Sequence, residues 1–202
     1  MTGLRALKKD RTRQTLSETA IGLFLERGFD AVSVADVAAA AEVSKPTLFR
    51  YFPSKEDLVL HRIADHQGEA ARVVTARGAR SPLDALHAHF RDGLVRHEPT
   101  TGLCDHPAVL AFHRLVFYTP SLASRLADHV TSDAAALAAA LGGGTPADLV
   151  AAQVIAVHHV LARANYAAVA AGSRADEVLA SAMAAADLAF ALLKNGAATH
   201  GY

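Results

Sequence analysis

The chain has 202 residues, 51% of them hydrophobic, with 20 Lys plus Arg against 20 Asp plus Glu and one cysteine, Cys104. That is apolar material enough for one moderately large domain, or for a small head joined to a larger body. Zero net charge excludes a uniformly basic surface, and a lone cysteine excludes an intramolecular disulfide, which suits a reducing compartment.

The start of the chain lacks the basic-then-apolar pattern of a secretory leader. Alanine-rich stretches such as Ala134–Leu141 are too short to cross a bilayer, and charges break the longer runs. The expectation is a cytoplasmic protein with no membrane partner.

Residues 1–13 carry Arg5, Lys8, Lys9, Arg11 and Arg13 against Asp10, a local excess of four positive charges. The wider polarity is mild: nine basic and seven acidic groups in 1–56, eleven and thirteen in 57–202. Asp10–Arg27 then sets Leu16, Ala20, Ile21, Leu23 and Phe24 at helical spacing, with Gly28 as a stop. Ser33 and Asp36 have the spacing of a capping box before a short helix, Val34 to Ala41, whose Val34, Val37 and Ala38 turn inward. Glu42-Val43-Ser44 connects it to a second short helix, Lys45 to Tyr51, with Pro46 in the first turn.

Leu48 and Phe52 would hold that second helix from behind, leaving Lys45, Thr47, Arg50 and Tyr51 outward. Two short helices joined by a tight turn can offer one of them to the major groove of DNA. A basic arm beside it can touch phosphates, although as a feature by itself it is equally a solvated tail. Pro53 ends the helix, and Ser54 caps another that the pattern extends to about Ala79, roughly 35–40 Å at 1.5 Å per residue.

The remainder reads helix after helix. Pro82 and Pro107 lie near starts, Gly78 near a stop, and Pro99-Thr100-Thr101-Gly102 marks a connection. Leu122–Leu141 precedes the Gly142-Gly143-Gly144 break, Thr145 can cap Pro146–Ala171, and Ser173 or Arg174 opens a last helix to about Lys194. With few alternating β-branched runs, the fold class is all-α: an N-terminal three-helix helix-turn-helix head over 1–56 and a larger helical body over 57–202. In the last two helices, Leu179, Met183, Ala186, Phe190 and Leu193 recur at steps of four and three beside Val154, Leu161 and His158. They form either a two-helix contribution to a four-helix dimer interface or an ordinary monomer core.

Arg13–Leu58 resembles the TetR family of bacterial transcription regulators. The resemblance is carried by Ala20-Ile21-Gly22-Leu23-Phe24, Gly28-Phe29, Ser33-Val34 with Val37-Ala38, Val43 through Phe52, and Ser54-Lys55-Glu56-Asp57-Leu58. It implies a two-fold homodimer that binds operator double-stranded DNA, commonly as a repressor, and is released by a small organic effector, with no catalytic role. The matching DNA-binding positions are Ser33, Lys45, Pro46, Thr47, Arg50, Tyr51 and Lys55. Arg50 is the candidate for a base or phosphate contact, and Lys55 for a phosphate. Phe49 replaces the tyrosine frequent at its position and so loses a hydroxyl.

The resemblance also implies an effector cavity in 57–202. Its candidate lining is His89, His113, Asn165 and Tyr166 with Phe90, Leu94, Leu110, Phe117 and Leu161, which suits an aromatic or lipid-like molecule better than a sugar or phosphate. No cofactor is implied. His158-His159, His106 with His113, and Cys104-Asp105-His106 lack zinc-site spacing, so no metal is expected. No nucleophile–base–orienter set, phosphate cradle or dinucleotide fingerprint argues for an enzyme. The alternative function is a helical dimeric interaction protein that has lost specific DNA binding.

Overall fold

A computed structural model describes residues 2–197, which form ten α-helices and one short 3-10 turn, with no strand among the described residues. The all-α expectation therefore holds. The helices collect into two compact units, each with its own apolar core.

The first unit comprises residues 1–65 with 111–127. It contains α1 (Thr2–Arg27), α2 (Val34–Ala40), α3 (Lys45–Tyr51) and α4 (Lys55–Ala64). Parts of α7 (Pro107–Tyr118) and α8 (Pro120–Ala140) complete it. Leu16, Ala20 and Phe24 of α1 close over Val37, Leu48, Phe52 and Leu58, and Ser17 Oγ donates to the Leu58 carbonyl at 2.6 Å. The short helices are closed by their caps. Ser33 and Asp36 exchange both bonds of a capping box, Ser54 and Asp57 do the same for α4, and Ser44 Oγ accepts the Thr47 N–H at 3.2 Å. Between α2 and α3 the chain turns through Glu42, whose φ of 54° is left-handed, while the Val43 N–H reaches the Ala38 carbonyl at 2.9 Å.

Two boundaries differ from the sequence reading. The basic residues near the start lie on the opening turns of α1, which begins at Thr2 rather than Asp10. The helix capped by Ser54 does not run on to Ala79; α4 ends at Ala64 and α5 (Glu69–Thr75) begins after a turn. Gly68 makes that break with φ 71°, and its N–H donates to Asp133 Oδ1 at 2.8 Å instead of to a helical carbonyl. Packing also assigns 57–65 and 111–127 to the first unit rather than to the body, because Leu58, Val59, Leu60, Phe112, Val116 and Leu122 are buried in its core.

The second unit comprises 66–110 with 128–202. Its chief elements are α5, α6 (Pro82–Val95), α9 (Thr145–Ala170) and α10 (Ala175–Ala197), and α10 packs against both α6 and α9. Leu83, Leu86, Phe90, Leu94, Val154 and Phe190 lie in its core. Gly144, not Thr145, is the N-cap of α9, and no side chain caps it. By length and composition α9 could cross a membrane; one face of it, with Ala147, Ala151, Val154 and Ile155, is buried in the second unit's core.

The turn Pro99–Thr101 is pressed against α9. Asn165 Nδ2 donates to the Thr101 carbonyl at 2.9 Å, and Gly102 has φ 72°. A Cβ on Gly102 would stand 1.9 Å from the Ala162 carbonyl oxygen, whereas one on Gly78, at φ 62°, meets nothing within 4 Å. Gly78→Ala should therefore cost only the left-handed backbone penalty, about 1 kcal/mol, and Gly102→Ala about 3 kcal/mol or more. Urea unfolding of the two variants checks this; equal losses would mean that the turn shifts freely from α9.

Candidate nucleic-acid interface

Leu48 is fully buried and Phe52 nearly so, both on the face of α3 that meets the core of the first unit. Lys45, Pro46, Phe49 and Arg50 are exposed on the other side, while Thr47 and Tyr51 are half-buried at its edges. Residues three and four apart share a helix face, so 45, 46, 49 and 50 form one outward facet. The Lys45 ammonium lies 5.9 Å from the Phe49 ring centre and the Arg50 guanidinium carbon 5.5 Å from that of Tyr51. Thr47 Oγ1 is 2.8 Å from Ser44 Oγ. Two cations, two hydroxyl-bearing residues and an apolar centre can contact phosphates and base edges from one helix.

Lys55 and Ser33 stand differently from the sequence reading. The Lys55 ammonium donates to the Phe29 carbonyl and sits over the rings of Phe29 and Phe24, at 4.2 and 5.3 Å from their centres. Its charge is engaged within the first unit, because two aromatic faces and a carbonyl together attract an ammonium. The Ser33 hydroxyl donates to Asp36 Oδ2 at 2.6 Å and accepts the Asp36 N–H, so capping occupies it. Those bonds hold the Asp36 carboxyl below the usual carboxylate range. Arg13, read as part of a phosphate-touching arm, donates through Nη2 to the Tyr51 carbonyl at 3.3 Å, at the C-terminal end of α3. It braces the facet from the inside, a role with no signal in the local sequence.

The candidate effector residues are divided between the two units. Phe90, Leu94, Leu161, Asn165 and Tyr166 are buried in the second unit and Leu110 packs against its core, whereas His113 and Phe117 belong to the first unit. The Asn165 amide is held by the Thr101 carbonyl. His89 Nε2 is 2.8 Å from Glu69 Oε1, and His66 Nδ1 is 3.0 Å from the other oxygen of that carboxylate. The hydrogen bond from His89 and then that from His66, against the opposing effect of burial, hold Glu69 down to about 2, and the same pairing raises His89.

The residues read as an interface also need correction. Val154, Ala186, Phe190, Leu193 and Leu161 are buried in the second unit's own core, and Leu179 and Met183 pack against it. Their periodicity marks the face that meets α6 and the facing helix, not a free surface. Leu149 and Val160 on α9 and Leu188 and Leu192 on α10 are the exposed large apolar residues, each more than half accessible.

His158 lies inside as well. Its ring stacks on Phe90 at 5.2 Å and tilts against Phe190 at 5.8 Å, and its enclosed Nε2 has no hydrogen-bond partner. Burial first, then the neighbouring His159 and His89, push its pKa down to about 4. Below pH 6.5 the unfolded chain takes up a proton that folded His158 refuses, so this group subtracts stability as the pH falls toward 4. His89 has the opposite sign: its contribution is full below 6.5 and is lost as the pH rises through its raised value. His158→Phe should therefore gain on wild type by on the order of 2 kcal/mol between pH 7 and pH 5. Denaturant melts at the two pH values test it; a constant difference would show that His158 titrates normally.

Comparison with known proteins bears on the first unit above all. Residues 16–61 match the family model described as bacterial regulatory proteins, tetR family. The chain is 40% identical over 124 residues to the HTH-type transcriptional regulator TcmR of Streptomyces glaucescens, a match covering 59% of this chain and 54% of that one. It is 32% identical over 101 residues to the HTH-type transcriptional repressor NicS of Pseudomonas putida, covering 48% of each. The chain thus spans about half the length of these curated relatives. Among solved structures, a TetR-family regulator from Streptomyces coelicolor superposes with a TM-score of 0.57 at 26% identity, over 90% of this chain and 96% of that one. NalD of Pseudomonas aeruginosa shares the fold, with a TM-score of 0.59 at 14% identity over 90% and 97% of the two chains.

Proposed function

We propose that the chain, which is similar to the tetR family of bacterial regulatory proteins over residues 16–61, is a DNA-binding transcriptional regulator, a repressor that leaves its operator when a small organic effector binds. The observation that carries this reading is the outward facet of α3, held in place by Leu48 and Phe52. The head reads DNA and the body senses and dimerises; the protein is a cytoplasmic regulator rather than an enzyme.

Arg50 is the strongest candidate for base readout, since its guanidinium is exposed and can give two donors to guanine O6 and N7. Lys45, Thr47 and Tyr51 would position the helix on the phosphates. On matched against scrambled operators, Arg50→Ala should lose about 1–3 kcal/mol of discrimination. Lys55→Ala should weaken both duplexes alike and also lower the melting temperature of the free protein, because its ammonium is part of the head's own packing. Binding titrations with a thermal melt separate the two roles; wild-type binding by both variants would remove the facet from the account.

The exposed apolar residues Leu149, Val160, Leu188 and Leu192 support a homodimer built from α9 and α10, a face distinct from the buried seam that the periodicity suggested. Small exposed residues, Ala152, Ala156, Ala184 and Ala185, lie along the same helices and would permit close approach. The double variant Leu188→Glu, Leu192→Glu should sediment as a folded monomer with unchanged helicity. A double variant that stays dimeric would place the interface elsewhere.

For the effector, the second unit offers His158, Phe90 and the Glu69–His89 pair around one imidazole nitrogen without a partner. An aromatic molecule with a hydroxyl or carbonyl group would suit that surrounding. An effector that releases DNA must bind the weak-DNA form more tightly, and by linkage DNA must then weaken the effector equally.

A further inference from the structure

Phe49 is the one large apolar side chain on the outward facet of α3, with 42% of its surface exposed. Among the described residues it belongs neither to the buried core of the first unit nor to the apolar side chains packed against that core. Its neighbours on the facet are Pro46, three residues earlier, and the cations Lys45 and Arg50. A phenyl ring 42% exposed beside the Lys45 ammonium leaves apolar surface in water that the fold does not bury.

Resting on the DNA-binding reading above, we infer that Phe49 recognises the C5-methyl group of a thymine in the major groove, and that each operator half-site places a thymine beneath it. The ring has neither donor nor acceptor, so it cannot use the hydrogen-bonding code of the base edges. The methyl of thymine is the one apolar group that a base pair presents in that groove, and phenylalanine is among the side chains that contact it. The flanking charges fit the same placement. Lys45, close to the ring, would lie over a phosphate, and Arg50, the next residue on the exposed facet, would lie over a phosphate or guanine, which leaves the ring facing a base edge. The methyl, not the base, is the recognised group, so 5-methylcytosine presents the same chemistry from a second source.

The test uses the full chain and an operator recovered by unbiased selection from random duplexes. Each thymine of a half-site is replaced in turn by deoxyuridine, which removes the methyl and leaves every hydrogen bond intact. At one position the affinity should fall about fourfold per methyl lost. Cytosine placed there should bind weakly, and 5-methylcytosine should recover the methyl's share. Phe49→Ala should bind the thymine and deoxyuridine duplexes equally, while Phe49→Leu and Arg50→Ala keep the difference. Because the methyl is removed from the DNA, the primary comparison needs no variant to fold.

If every deoxyuridine duplex binds wild type normally, the inference is overturned while the regulator reading stands. It is overturned also if the methyl effect survives in Phe49→Ala, which would assign the contact to another side chain. Failure to enrich any sequence in the selection would overturn the DNA-binding reading itself, and this inference with it.

Discussion

The burial of Leu48 and Phe52 is the constraint on which the functional face depends. A helix of seven residues does not persist by itself in water, because nucleation fixes several residues before propagation repays it. What holds α3 is a cap at each end of its logic: Ser44 takes up an orphan N–H at the start, Arg13 donates to the Tyr51 carbonyl at the finish, and two large side chains lie in the core between them. Fixing those two side chains fixes the rotation of the helix. The four residues that face outward then have no freedom to choose another direction, and a reading surface exists before any DNA arrives.

Polar groups in the second unit obey a different rule. Asn165, Glu69 and His89 are half or fully buried and find partners, so they tie elements together: the Pro99–Thr101 turn to α9, and α5 to α6. His158 has aromatic neighbours and an enclosed nitrogen with no partner. A buried polar atom left unsatisfied has a cost that packing must offset. Replacing it by an apolar ring of similar size would remove that cost.

Legibility in the sequence followed the range of the interactions. The Ser33 and Ser54 caps, Pro46, and the alternation of buried and exposed positions in α2 and α3 are local signals, and each appears where the residues placed it. The break at Gly68 was hidden because the stabilising partner of its N–H, Asp133, is 65 residues away. Lys55 is the same case: a lysine at a helix start reads as a free cation until the rings of Phe24 on α1 and Phe29 just after it are seen beside it. The apolar series on α10 was read correctly as a buried face, but periodicity says only that something covers a face. It does not tell α6 from a second copy of the chain, and here α6 and α9 are what cover it.

If the head binds DNA as proposed, the engagement of Lys55 also bears on how it would discriminate. The chain carries no net charge, and residues 1–56 exceed neutrality by only two basic groups, nine against seven. With Lys55 and Arg13 both engaged inside the first unit, fewer cations are left to neutralise phosphates. Counterion release, which drives binding without regard to sequence, scales with that number. A head with little of this general attraction must draw more of its affinity from base edges, where hydrogen bonds and apolar contacts distinguish one site from another. Exposed Arg50 and exposed Phe49 are the two side chains on α3 suited to those two kinds of contact, one polar and one apolar. On the proposed reading, specificity would be concentrated on a single turn and a half of helix rather than spread over a charged surface.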